Sequence, residues 1–409
     1  MNQLRAVTVT VLVLAGGSSP RSSSAQTPAH CDAPAKDAIA RVSVDGNPFS
    51  PIPSADGCNI FVTLARPNAS ARGGVAVLAR ANGKVSVLGT FPLRDSPTGA
   101  VLTNDGAVLI VTTGKGIAFL SAPNLVSGHG APELGYMETG QLVGTIYANV
   151  SRDDRTLYVS AENSHAIIVV DLAKARATGY HVNSIIGTIP TGAAPIALLF
   201  SIDDRFLFTS SQVAPSDLKW PEECAPEAQN QATAPNRHPQ GAILVVDVPH
   251  SIVDPEHSVV SAVPAGCNPV RLALSADGNT VYATVRGDNV LLAFNAMALI
   301  TDPERARRSR VPVGTSPVGV AVFDDGNKIV VTNSNRFGQD ANKPQYLTVI
   351  DANKLASGDS AVLGTVPVGA FPRELRVTPD GKTLLVTNFL SKTVDFIDLA
   401  RLKLGPVRR

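Results

Sequence analysis

Apolar positions along this chain come in short runs broken by polar turns, and the runs repeat. The clearest copy is "VTPDGKTLLVTN" (Val377–Asn388), with an apolar start, Pro-Asp-Gly, then a β-branched run ending in Thr-Asn. Asp-Gly supplies the positive φ values of a tight hairpin turn. The turn occurs in seven copies, five with Asp-Gly and two with Asp-Asp (Asp153-Asp154, Asp203-Asp204), with aligned aspartates Asp56, Asp105, Asp153, Asp203, Asp277, Asp325 and Asp380. Their separations are 49, 48, 50, 74, 48 and 55 residues. Eight residues before the aspartate stands a proline in six copies (Pro48, Pro97, Pro195, Pro269, Pro317, Pro372), and Thr145 takes that place in the third. Gly192, Gly266, Gly314 and Gly369 precede their prolines by three. Two markers in one register across seven copies define a repeat.

Each copy predicts four short antiparallel strands. An apolar strand follows the proline ("GVAVF", Gly319–Phe323), and a β-branched strand follows the turn ("KIVVT", Lys328–Thr332). A third ends on an acid ("YLTVID", Tyr346–Asp351), and a fourth leads into the next Gly-x-x-Pro ("AVLGTVPVG", Ala361–Gly369). Four strands in roughly 50 residues match a propeller blade. The last copy stops after its third strand, "TVDFIDL" (Thr393–Leu399), while "AIARVSV" (Ala38–Val44) reads as a fourth strand without a blade. Pairing the two closes the ring and leaves no blade edge open. The expectation is an all-β, seven-bladed β-propeller of four antiparallel strands per blade, its N-terminal strand completing the last blade.

"VTPDGKTLLVTN" followed by "TVDFIDL", with "VPVGAFP" upstream, resembles the YVTN β-propeller repeat family and its YncE-like members. The resemblance covers about Ala38–Leu399 and implies the fold; it does not imply one activity, because members share blade geometry and differ in ligand. In such a blade the Asp-Gly turns lie on one face (the bottom) and the Gly-x-x-Pro loops on the other (the top). The longest excursion, "SQVAPSDLKWPEECAPEAQNQATAPNRHPQ" (211–240), accounts for the spacing of 74 and falls on top; "NSNRFGQDANKPQ" (Asn333–Gln345) is a second enlarged top loop.

Composition adds the compartment. Gly 33 and Pro 30 among 409 residues suit short strands and turns, and the net charge of +1 shows no polybasic stripe. Met1–Arg5 is positively charged and "AVTVTVLVLAGG" (Ala6–Gly17) is an apolar core of signal-peptide length, with cleavage expected after Ala25. About 12 apolar residues fall short of the ~20 that span a bilayer, so no membrane span is expected after cleavage. The expected organisation is a signal peptide (1–25), a tether (26–37), the propeller (38–400) carrying the top-face insertion (211–240), and a tail (401–409). Four cysteines allow three pairings. Blade topology favours Cys31–Cys58 at the bottom and Cys224–Cys267 on top, which suits a secreted or periplasmic protein.

Candidate chemistry lies where the repeat departs from itself. Proline-plus-two positions ring the channel mouth: Ser50, Gly99, Tyr147, Ala197, Arg271, Gly319 and Glu374. Tyr147, Arg271 and Glu374 are the large polar exceptions, with Arg373 and Arg376 beside them. Top loops add Glu162, Asn163 and His165 from "AENSHA", Arg286 and Asp288 from "VRGDN", and Arg336; Trp220 and His238 lie on the insertion. The expectation is one polar pocket at the top for an anionic or sugar-like ligand, with arginines as bidentate partners. Polar residues also line water-filled mouths without a ligand, and Arg–Glu pairs also simply join blades.

Two function classes follow. One is a binding module that recognises a small molecule or protein through its top face. The alternative is a lactonase-like hydrolase in which His165, Arg271 and Glu374 polarise a carbonyl and activate water. A redox subunit beside a quinone or haem chain fits the compartment, but no CxxC, CxxCH or other cofactor ligand set is present, and no cofactor is expected. The seven histidines show no HxH or HExxH spacing, so no metal is expected. The turn aspartates recur for backbone reasons, and "GKG" (Gly114–Gly116) lacks Walker spacing. YncE-like proteins have been associated with single-stranded nucleic acid, but sparse aromatics and balanced charge supply little of that platform. A closed ring needs no second copy, so a monomer is expected.

Overall fold

The computed structural model describes residues 31, 37–66, 73–140, 143–218, 223–224 and 238–407. The expected leader, Trp220 and most of the tether lie outside the described residues.

Seven four-stranded antiparallel sheets follow one another along the chain. The first six occupy residues 47–92, 100–138, 145–190, 193–264, 269–312 and 317–370; the seventh combines 372–398 with Ile39–Ser43. Each innermost strand contacts the innermost strand of the next blade, and the seventh contacts the first, so the ring is closed. Closure occurs where the pattern placed it: Ile39–Ser43 pairs antiparallel with Thr393–Asp398, Ile39 opposite Ile397 and Arg41 opposite Asp395. Arg41 Nε and Nη2 donate to Asp395 Oδ1 and Oδ2 at 2.7 and 2.8 Å, a bidentate pair whose carboxylate is fully buried. Beyond the last blade the tail turns back onto blade six, where Gly405 and Thr365 exchange backbone hydrogen bonds at 3.2 and 2.8 Å.

Alternate residues of the middle strands point between blades, where Val, Ile, Leu and Phe from neighbouring sheets form the core, as with Phe208, Ile243, Val281 and Phe294 between blades four and five. The Asp-Gly turns hold their shape locally. In six of seven the Ser or Thr two residues before the aspartate donates its hydroxyl to the carboxylate, at 2.5–2.6 Å. Phe323 occupies that place in the sixth.

One regular device fixes what faces the channel. In five blades the residues one and two past the proline stand together opposite a single residue of the second strand, a β-bulge. Val270 and Arg271 face Thr284 in this way, as Arg373 and Glu374 face Thr387. The facing residue is always Thr or Ser, fifteen residues after the proline. Its hydroxyl accepts the N–H that the bulge displaces from the ladder, as at Arg271 N to Thr284 Oγ1, 3.1 Å. The same hydroxyl donates to the next blade: Thr284 to Val318 O at 2.6 Å, Ser210 to Val270 O at 2.9 Å, Thr387 to Phe49 O at 3.1 Å. Each bulge is thereby tied to its neighbour around the ring.

Both disulfides join the pairs that topology favoured. Cys31–Cys58 ties the chain ahead of the first strand to the turn of blade one. Cys224–Cys267 ties the excursion of blade four to the Gly-x-x-Pro loop of blade five. The second strand of blade four continues through Val213, so the excursion leaves the sheet at Ala214. Within it, Glu223–Cys224 pairs with His238–Pro239.

Candidate functional site

The bulge turns two consecutive residues of these blades toward the axis, and they form two layers. Proline-plus-one residues make the upper layer, in which Ile196, Val270 and Val318 pack together and Phe49 is also buried. Arg373 is the charged member of this layer. Proline-plus-two residues lie beneath it. Small side chains are needed here because neighbouring strands crowd the axis: a Cβ on Gly99 would sit 2.6 Å from Ile146 O and 3.0 Å from the Tyr147 ring.

Sequence reading gathers the polar candidates in one top pocket; the structure divides them into two neighbouring groups. The first group is Tyr147, Arg271, Glu374 and Arg376, which line a cavity of about 560 Å³ in the channel. The cavity's lining begins at proline-plus-two and ends at the Asp-Gly turns, at Ala55, Asn104 and Pro379. No proline-plus-one residue lines it, so this cavity faces the bottom. Glu374 is fully buried and accepts from Arg271 Nε at 2.6 Å and from Arg376 Nη1 at 3.3 Å. Both guanidiniums stand over the Tyr147 ring, at 4.7 and 5.7 Å from its centroid. Partial desolvation in the channel lowers Arg376 to about 10, which still leaves it charged at neutral pH.

The second group forms an arc on the top face. Glu162 Oε1 accepts from Gln212 Nε2 at 3.3 Å, and Gln212 Oε1 accepts from Arg286 Nη2 at 2.5 Å. Arg286 and Arg336 flank the Phe337 ring at 5.7 and 4.7 Å. Arg373 stacks on Phe49 at 3.7 Å and stands near Phe389 and Phe371, at 5.4 and 5.6 Å. Its Nε is buried and has no hydrogen-bond partner among the described residues. Burial above all, then repulsion from Arg336, Arg271 and Arg286, pushes Arg373 well below the usual arginine range, with Glu374 pulling the other way.

The remaining candidates have other surroundings. Asn163 lies against the loop at Gly144, where a Cβ would come within 2.8 Å of its side chain. Asp288 accepts from the backbone N–H of Cys267 at 3.2 Å, holding the disulfide-bearing loop. His238 bonds its neighbour Pro239 O at 2.8 Å. His165 is exposed, ends the short Glu162–Ser164 turn with φ of 52°, and does not line the cavity that holds Arg271 and Glu374. Of the three catalytic candidates the structure brings together Arg271 and Glu374 alone.

Phe49, Gln212, Phe337, Phe371 and Phe389 were missed. In sequence Phe49 and Phe371 continue the apolar pattern and read as core, while Phe337 sits in the polar top loop Asn333–Gln345; the available signal was that Phe371 and Phe389 interrupt repeat positions beside Gly-x-x-Pro and Val-Thr-Asn.

Among solved structures the chain is similar to hydrazine synthase of Kuenenia stuttgartiensis, with a TM-score of 0.63 and 17% identity over 88% of this chain and 97% of that one. It is also similar to a functionally unknown protein of Desulfotomaculum acetoxidans DSM 771, with a TM-score of 0.55 and 12% identity over 80% and 87% of the two chains. Likeness at such identity establishes the fold alone. No family model matches the sequence, and no curated protein matches it.

Proposed function

We propose that this chain is an exported, non-catalytic β-propeller that binds an anionic ligand on its top face, between Arg286, Arg336 and Arg373. The observation that carries the reading is Arg373: a half-buried side chain whose buried Nε is orphaned, stacked on Phe49 and repelled by three other arginines. A carboxylate or sulfate group placed there gains charge-assisted hydrogen bonds and relieves the repulsion. The Cys224–Cys267 bridge supports the assignment by holding the excursion beside the same face. A binding role rather than hydrolysis is supported by Arg271 and Glu374 neutralising each other across blades while His165 stands apart.

Export is supported by the leader-like N-terminus and by two disulfides. Among the described residues no helix is long and apolar enough to cross a membrane. Kinship with YVTN-type propellers is supported by the Thr or Ser opposite each bulge, which is the threonine of "VTN" in blades six and seven.

Thermal unfolding with sulfate, citrate and glucuronate, against chloride at equal ionic strength, tests the reading. Wild type should be stabilised by about 2.7 kcal/mol when the ligand stands at roughly 100 Kd. Arg336→Ala and Arg373→Gln should both lose that stabilisation, and Arg373→Gln should not lower the melting temperature without ligand. If none of the anions stabilises wild type beyond chloride, the reading fails.

A further inference from the structure

The channel cavity has the features of a ligand site of its own, separate from the top face. Its charged end holds two guanidiniums and one carboxylate, a net charge of +1. Glu374 cannot be the sole counter-charge for both arginines. Arg271 spends its Nε on Glu374 at 2.6 Å, and the weaker 3.3 Å contact from Arg376 leaves a second guanidinium incompletely matched. Both hydrogen bonds of Arg376 among the described residues leave from Nη1, to Glu374 and to its own neighbour Leu375 O, and Nε and Nη2 carry none there. The Arg376 side chain is 32% exposed, although the strand that bears it is the innermost of its blade. The Tyr147 ring beneath both guanidiniums holds them in place.

Much of the remaining wall is aliphatic, with Ile52, Leu102, Leu198, Leu199, Leu272 and Val320 contributed by five blades, and Thr103, Asn104 and Asn149 add polar groups. A volume of about 560 Å³ lies within the usual range of small-ligand pockets. The proline-plus-one layer, with its apolar Ile196, Val270 and Val318, lies on its other side, and Ala55, Asn104 and Pro379 stand at its lower end among the turns.

We propose that this cavity binds a small monocarboxylate with an apolar body, entering from the Asp-Gly face. The carboxylate meets the open fork of Arg376, with Arg271 behind it, and makes the local charge neutral. The body of the ligand covers the leucines. A neutral amide of the same shape leaves the excess guanidinium unmatched, and a dicarboxylate brings a second charge against a wall that offers it no further cation among the described residues, so both bind more weakly. The proposal does not rest on the top-face reading.

Benzoate, cyclohexanecarboxylate and benzamide are suitable probes, titrated into the full chain by calorimetry and by ligand-observed NMR. Both carboxylates should bind at least about tenfold more tightly than benzamide. Arg376→Gln should remove that preference, and Leu199→Trp, which fills the cavity without touching charge, should abolish binding of all three. Arg336→Ala should leave benzoate binding unchanged; if it abolishes binding, the carboxylate sits on the top face and the channel proposal is overturned. Equal binding of benzoate and benzamide, unchanged binding in Leu199→Trp, or no carboxylate binding at millimolar concentration overturns it as well. Thermal melts of each variant establish that it is folded.

Discussion

Thr284 shows how one hydroxyl serves both architecture and site. It accepts the Arg271 amide that the bulge removes from the ladder and donates to Val318 O in the next blade. Thr284→Val keeps the shape and deletes both bonds, leaving a buried N–H and a buried carbonyl without partners. The expected cost is about 1–3 kcal/mol, read from urea midpoints, and Thr284→Ser should recover most of it. Loss of the bond should also loosen Arg271, whose backbone it fixes. Equal stability of the valine and serine variants would mean that the hydroxyl contributes nothing. Residues of this kind are only half legible in a sequence. That a Thr or Ser recurs seven places after every turn aspartate is visible; that it answers a bulge is not, because the bulge exists only in the pairing of two strands. Tyr147, Arg271 and Glu374 were legible for the opposite reason, as large polar side chains at positions the other copies fill with small ones. Phe49 and Phe371 could not be distinguished from core until Arg373 was placed against them.

Among the elements, the strand Ile39–Ser43 has the longest reach, joining residues more than three hundred positions apart. Its pairing was readable because a blade short of one strand at the C-terminus and a lone strand at the N-terminus have one mutual solution. Arg41→Ala tests what locks it. The substitution removes a bidentate partner and leaves Asp395 buried without its counter-charge. Breaking a wholly buried pair costs about 3–5 kcal/mol, but the Arg41 side chain is 46% exposed, which reduces the expectation to roughly 2 kcal/mol. Arg41→Lys should restore part of the loss, since a point charge replaces a fork. The readout is the unfolding midpoint, together with hydrogen exchange of the Val394 and Phe396 amides, which should rise if the closing strand detaches first. A midpoint unchanged by Arg41→Ala would place the lock in the backbone ladder. What the strand pattern did not disclose is direction: it counts strands and orders turns, yet the side chains two past the proline were read toward the top entrance, and their cavity continues to the Asp-Gly end.

At the scale of the whole molecule, the repeated turn makes stability depend on acid. Asp277 is held down to about 2, first by the Ser275 hydroxyl and then by the Asn279 amide. Asp153 and Asp203 are lowered chiefly by Ser151 and Ser201, and Asp105 is lowered first by Arg176. A carboxyl with a folded pKa below its unfolded value near 3.9 binds fewer protons when folded. Its contribution is therefore present above about pH 4 and is lost as pH falls through the folded pKa. These four turns are largely solvent-exposed, so each contributes little; together they make the effect collective, and the melting temperature should fall steadily from about pH 4 toward pH 2. Ser275→Ala isolates one turn. The hydroxyl also accepts the Thr280 amide at 2.9 Å, so its removal carries a cost that does not depend on pH. A second part of the cost arises because Asp277 loses the bond that favours its charge, and that part must vanish once Asp277 is protonated. The difference in melting temperature between wild type and Ser275→Ala should thus be larger at pH 7 than at pH 2. A difference that stays constant across that range would show that the aspartate shapes the turn without coupling its charge to the fold.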